Sequence, residues 1–180
     1  HIAAVGFEMY CKLLEDEVRK LKGEPMEEHF EPVVDIALDA FISDRYITDQ
    51  RQKIEIYKKI IAIEALEDVA DIEMELEDRF GPLPIAVKNL IGVATLKILA
   101  REAGVVSVTQ KDKTIKLKFL PGVKMPRALV SKISKVYRGK AYFSIDGQQE
   151  IKVSLKTLSN EEGVKLIEVF LRLLIKGGKG

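Results

Sequence analysis

The chain of 180 residues carries 29 Lys and Arg against 28 Asp and Glu, with two His, one Cys and no Trp. At 47% apolar and 32% charged residues it can bury a core, but its length suits one domain, or one domain with a helical arm, and excludes a complete motor or multidomain enzyme. The lone cysteine excludes a disulfide scaffold and suits a reducing cytoplasm, and no run of about 18 uncharged apolar residues could span a membrane. The chain begins at His1 rather than Met and is expected to be a segment of a longer protein.

The periodicity predicts a helix over residues 2–22, where Val5, Met9, Leu13, Leu14, Val18 and Leu21 recur at helical spacing. Gly23 ends it, and the acidic run Glu24 to Glu28, with Pro25, reads as a linker. A short strand is expected at 33–38, with Val34, Ile36 and Leu38 on one face, followed by a structured connection over 41–49. Three helices follow, over 53–62, 65–80 and about 84–103. The second bears the stripe Leu66, Val69, Ile72, Leu76 and Phe80, and Gly81-Pro82 stops it. The third is apolar on most faces and is expected to be the central core helix.

The period then changes to two. Val106 and Val108 predict one strand, and Ile115, Leu117 and Phe119 the next, with a turn at 111–113. A helix over 126–137 is followed by strands at 141–145 and 151–155, with Asp146-Gly147 read as a two-residue hairpin turn. Ser159 and Glu162 form a capping-box pattern at the start of the last helix. Helices, then a small, mainly antiparallel sheet, then a closing helix describe an α+β fold.

Charge is divided along the chain. Residues 1–90 hold 21 acids and 11 bases, whereas residues 91–180 hold 7 acids and 18 bases. No phosphate-cradling glycine loop is present. The only histidines are His1 and His29, and Cys11 lies near the apolar side of the first helix, so neither a His-based triad nor a metal cluster is expected, nor any cofactor. The acids of 64–78 could be a solvated face, a cation site or an interaction face. At about 100° per residue, Glu75, Asp78 and Arg79 cluster roughly 130° from the apolar stripe and point outward. The stretch Lys111 to Lys140 has ten bases and one acid, Asp112. Lys116, Lys118, Arg127, Lys132 and Arg138 within it could follow a phosphate backbone, or form a lysine-rich sheet edge that discourages association.

Three segments together resemble the C-terminal domain of the bacterial transcription-repair coupling factor (Mfd) family. They are His1 to Glu15; Ala40-Phe41-Ile42-Ser43-Asp44-Arg45-Tyr46-Ile47 continuing to Lys59; and Glu75-Leu76-Glu77-Asp78-Arg79-Phe80-Gly81-Pro82-Leu83-Pro84. Ser43 stands where the family commonly has proline, and Lys53 where it usually has arginine. The resemblance implies that residues 1–24 continue from an upstream motor, and that residues 25–180 form a regulatory domain without catalytic motif. The parent would be an ATP-dependent DNA translocase acting on stalled RNA polymerase. The domain would be an autoinhibitory clamp on the N-terminal module that recruits the damage-recognition ATPase of nucleotide excision repair. The family's clamp contacts correspond to Glu75, Asp78 and Arg79. A purely local role is the alternative for this segment: Phe80 packs, Gly81 caps, and Asp78 and Arg79 make exposed pairs.

Overall fold

The computed structural model describes residues 30–178 together with Leu14, Glu17, Val18, Leu21 and Lys22. The chain divides into two compact units, residues 1–30 and 31–180. In the first, Leu14, Glu17, Val18 and Leu21 are helical; the rest of the expected first helix and the acidic linker lie outside the described residues, as do Cys11, His1 and His29.

The second unit runs β1 (Val33–Asp35), α1 (Gln50–Ile61), α2 (Leu66–Phe80), α3 (Ile85–Glu102), β2 (Val105–Lys111), β3 (Thr114–Phe119), α4 (Arg127–Val136), β4 (Ala141–Asp146), β5 (Glu150–Leu155) and α5 (Asn160–Gly178). The five strands form one sheet in the order β1-β2-β3-β5-β4, with β1 parallel to β2 and every other pair antiparallel. The architecture is α+β.

Helix α3 joins two cores. Its N-terminal half gives Val87 and Ile91 to a helical core with Ile56 and Ile60 of α1 and Ile72 and Leu76 of α2. Its C-terminal half gives Leu96, Leu99 and Ala100 to the core under the sheet, with Leu117, Phe119, Val153 and Phe170. Burial of each large apolar side chain contributes about 1.5–3 kcal/mol. A helix serving two cores must be apolar nearly all round, which is what residues 84–103 show. In the sheet, Ile115, Leu117 and Phe119 alternate inward with Lys116 and Lys118 outward. Helices α4 and α5 pack on the inner side, since Val130, Ile133, Ile167 and Phe170 belong to that same core.

Four boundaries differ from the sequence expectation. Helix α1 starts at Gln50 because the Asp49 carboxylate accepts the Gln52 N–H at 2.9 Å, an N-cap. Strand β1 stops at Asp35 because Ala37 bonds side chains instead of a ladder: its N–H donates to Gln110 and its carbonyl accepts from Asn160. In β2 the inward residues are Val105 and Val108, not Val106, because a register shift between Val105 and Ser107 moves Val105 onto the core face. The β4–β5 connection has three residues, 147–149, with Gly147 at φ 63°. The capping box at α5 is present: Glu162 accepts the Ser159 N–H at 2.7 Å, and Ser159 Oγ accepts the Glu162 N–H at 3.1 Å.

Candidate functional site

Helix α2 sets some of its charges with the helix dipole and others, Glu77 and Asp78 in the last turn, against it. Glu67 and Asp68 lie in the first turn and Arg79 in the last. Ile72 and Leu76 are buried, fixing which face turns away from the core. The helix ends at Gly81, whose N–H donates to the Glu77 carbonyl and whose φ of 87° and ψ of −170° only glycine adopts without strain.

On the ridge beside this terminus, Glu75 and Arg79 form an ion pair at 2.5 Å. The same carboxylate accepts from Lys59 Nζ, at 2.7 Å to Oε1 and 3.0 Å to Oε2. Lys59 also lies 3.7 Å from Glu55, so the network Glu55–Lys59–Glu75–Arg79 ties α1 to α2. The Lys59 hydrogen bond, with a smaller contribution from Arg79, holds the Glu75 carboxyl below its ordinary value against partial burial. The Arg79 guanidinium carbon sits 4.9 Å from the centre of the Phe80 ring, a cation–π contact. Phe80 in turn lies 5.9 Å from the Tyr46 ring. The Tyr46 hydroxyl contacts the carbonyls of Gly81, at 2.9 Å, and Leu76, at 3.2 Å. Burial, followed by the nearby Glu77 charge, raises the Tyr46 pKa and keeps the phenol protonated to donate.

Of the three ridge residues, the structure brings Glu75 and Arg79 together and leaves Asp78 exposed, without an ion pair among the described residues. Glu75 turns partly toward α1 and is less exposed than the helical wheel implies, its side chain retaining 30% of its accessible surface. Lys59 and Tyr46 are neighbours of this helix end that sequence reasoning missed. Lys59 shows only its local spacing to Glu55, and nothing in the sequence links Tyr46 to the end of α2. Chemically, the ridge offers a free carboxylate, and a guanidinium with one fork nitrogen committed and further N–H groups available. It can form charge-assisted hydrogen bonds to a charged partner.

The local alternative also has its elements in place, since Phe80 packs and Gly81 caps. Ser43 Oγ accepts the Tyr46 N–H at 3.3 Å. Lys53 makes a single-point ion pair with Asp44, which holds that carboxyl below its ordinary value.

The five basic residues singled out in the sequence lie on two sides of the sheet. Lys116 and Lys118 occupy its open face, where Lys116 is 3.7 Å from Glu150 and the neighbouring Lys152 is paired with Asp146. Arg127 and Lys132 are on the exposed side of α4, and Arg138 follows in the turn after it.

A cavity of about 350 Å³ between α2, α3 and α5 is lined by Leu66, Val69, Asn89 and Thr95, with charged groups such as Glu73 and Lys165. The Thr95 hydroxyl bonds to the carbonyl of Ile91 in its own helix, and the Asn89 amide to that of Asp39. Among the described residues no group of three or more His, Cys, Asp or Glu is placed to hold a metal ion, and no helix is long and apolar enough to cross a membrane.

A family model described as the TRCF domain matches residues 36–129. The transcription-repair-coupling factor of Staphylococcus aureus (strain USA300) is 38% identical over 116 residues, 63% of this chain and 10% of that protein. That of Bacillus subtilis (strain 168) is 35% identical over 117 residues, 64% of this chain and 10% of that protein. The chain therefore spans about a tenth of the length of these curated relatives. Among solved structures, a crystal structure of the C-terminal domain of transcription-repair coupling factor superposes with a TM-score of 0.72 at 29% identity, covering 84% of this chain and 97% of that one.

Proposed function

The chain belongs to the TRCF domain family, and from that membership we propose that residues 25–180 are a non-catalytic autoinhibitory domain of a transcription-coupled DNA repair translocase. Residues 1–24 would continue from the upstream motor. The domain masks the N-terminal surface of its own parent chain that recruits the damage-recognition ATPase of nucleotide excision repair. The links to RNA polymerase and to DNA run through the parent.

One observation carries the proposal: the pre-formed Glu75–Arg79 pair at the exposed end of α2, with Asp78, unpaired among the described residues, beside it. Arg79 is already oriented by Glu75 and by the Phe80 ring, so little side-chain freedom is lost when a partner carboxylate meets it. Asp78 supplies the opposite charge one residue away. Pairs at such an exposed rim are worth only ~0.2–1 kcal/mol each. Several weak pairs suit a latch that must open when the parent engages its substrate.

The test is the triple variant Glu75→Ala, Asp78→Ala, Arg79→Ala in the full-length parent. Binding to the repair ATPase should rise several-fold while the domain's thermal unfolding stays cooperative. Unchanged binding in a well-folded triple variant overturns the latch.

A further inference from the structure

We infer that the exposed side of α4, continued by Arg138, Lys140 and Lys156, is a docking surface for the phosphate backbone of double-stranded DNA. The sequence shows one basic stretch. The tertiary structure splits it into two surfaces of different electrostatic character. On the open sheet face, Glu150 lies beside Lys116 and Asp146 pairs with Lys152, so much of the lysine charge is compensated locally. On α4 no ion pair among the described residues opposes it. Arg127, Lys132, Lys135, Arg138 and Lys140 are all exposed, and among the described residues none lies within ion-pair distance of an acid. Between Asp112 and Asp146 the chain contains no acid at all.

The fold adds a sixth cation that the stretch itself lacks. The Lys156 N–H, at the end of β5, donates to the Lys140 carbonyl at 2.9 Å, which brings exposed Lys156 alongside. Helical spacing does the rest. Arg127, Ser131 and Lys135 fall in one row at four-residue intervals, with Ala128 and Lys132 next to it, and all five are exposed. Small Ala128 and Ser131 leave room between the cations for a phosphate to approach. The row from Arg127 to Lys135 is about 12 Å long at 1.5 Å per residue, comparable with three or four nucleotide steps along one strand.

A duplex fits better than a single strand. Single-strand sites need exposed aromatic rings for base stacking, but Tyr137 is half-buried and Tyr142 lies on the opposite, open face of the sheet. The buried half of α4, Val130 and Ile133, is held in the core, and its exposed row is mostly cations and small residues, which suit contacts to the phosphate backbone. The choice of DNA rests on the proposal that the parent is a DNA translocase; the electrostatic argument does not.

The experiment measures binding of the 180-residue chain to a fluorescent duplex DNA of arbitrary sequence at 50 and 200 mM salt. With about four phosphates contacted, affinity should fall roughly 150-fold across that range. Lys132→Gln with Lys135→Gln should weaken binding about tenfold or more at 50 mM salt and lower the salt slope by about two. Lys116→Gln with Lys118→Gln should leave it within about twofold. The Glu75, Asp78, Arg79 triple-alanine variant should bind DNA as the parent sequence does, so failure of the latch and failure of this surface are separable. The inference is overturned if the chain shows no salt-dependent binding at 50 mM salt, or if the two lysine pairs lose affinity equally. It is also overturned if duplex RNA binds more tightly than DNA, or if poly-glutamate of matched charge competes equally well, which would assign the face to another partner class.

Discussion

The Lys59 ammonium on α1 lies 2.7 Å from the Glu75 carboxylate on α2, which simultaneously holds Arg79. One carboxylate thus sets the geometry of the exposed ridge and clamps two helices of the smaller core.

Removing that carboxylate's charge makes stability less dependent on acid. Glu75 is held below its ordinary value of 4.5, so the folded state favours the ionised form. Its stabilising contribution is fully present above that ordinary value and is lost as pH falls through the lowered folded value. Glu75→Gln should cost about 0.2–1 kcal/mol at neutral pH and low salt. The difference from the parent sequence should vanish in acid, as followed by urea melts at a series of pH values. A constant difference down to the most acidic point would show that packing, not charge, is being measured.

Gly81→Ala tests the backbone at the end of α2. A Cβ there meets nothing within 4 Å, so any effect comes from the φ of 87° and ψ of −170°. Destabilisation of about 1–3 kcal/mol is expected from that conformation alone. An unaltered denaturation midpoint would mean that the helix end relaxes freely.

Tyr46→Phe removes a hydroxyl that bridges the carbonyls of Leu76 and Gly81 while keeping the ring against Phe80. A loss of about 1 kcal/mol is expected. Amide exchange should quicken in the last turn of α2 before it does in the sheet. Uniform acceleration through both cores would place the effect elsewhere.

Ser159→Ala should cost about 0.5–2 kcal/mol by removing half of the capping box at α5. Ser159→Asp should restore most of it, because aspartate caps equally well. Failure of that rescue would indicate that the hydroxyl's surroundings, rather than the cap, are responsible.

Much of the helical layout was legible because it depends on local periodicity. The stripe of α2, the uniformly apolar α3 and the capping box are statements about residues three or four apart, and the chain obeys them. Strand details were less legible. Val105 replaced Val106 on the inner face because the β2 irregularity is set by pairing with β3, a non-local interaction. The parallel placement of β1 beside β2 joins segments about seventy residues apart, and no local pattern encodes it.

The same division holds for the two surfaces. The sequence alone determined that acids gather on α2, that Glu75, Asp78 and Arg79 share one side of it, and that bases gather after residue 110, because composition and helical angle are properties of the chain itself. Only the tertiary structure decided that Lys59 reaches Glu75 from another helix, that Tyr46 braces the end of α2, and that β-strand alternation turns Lys116 and Lys118 away from Arg127 and Lys132. Whether a charge is neutralised or left free depends on what lies within a few ångströms in space, and neighbours at that range come from packing rather than from order along the chain.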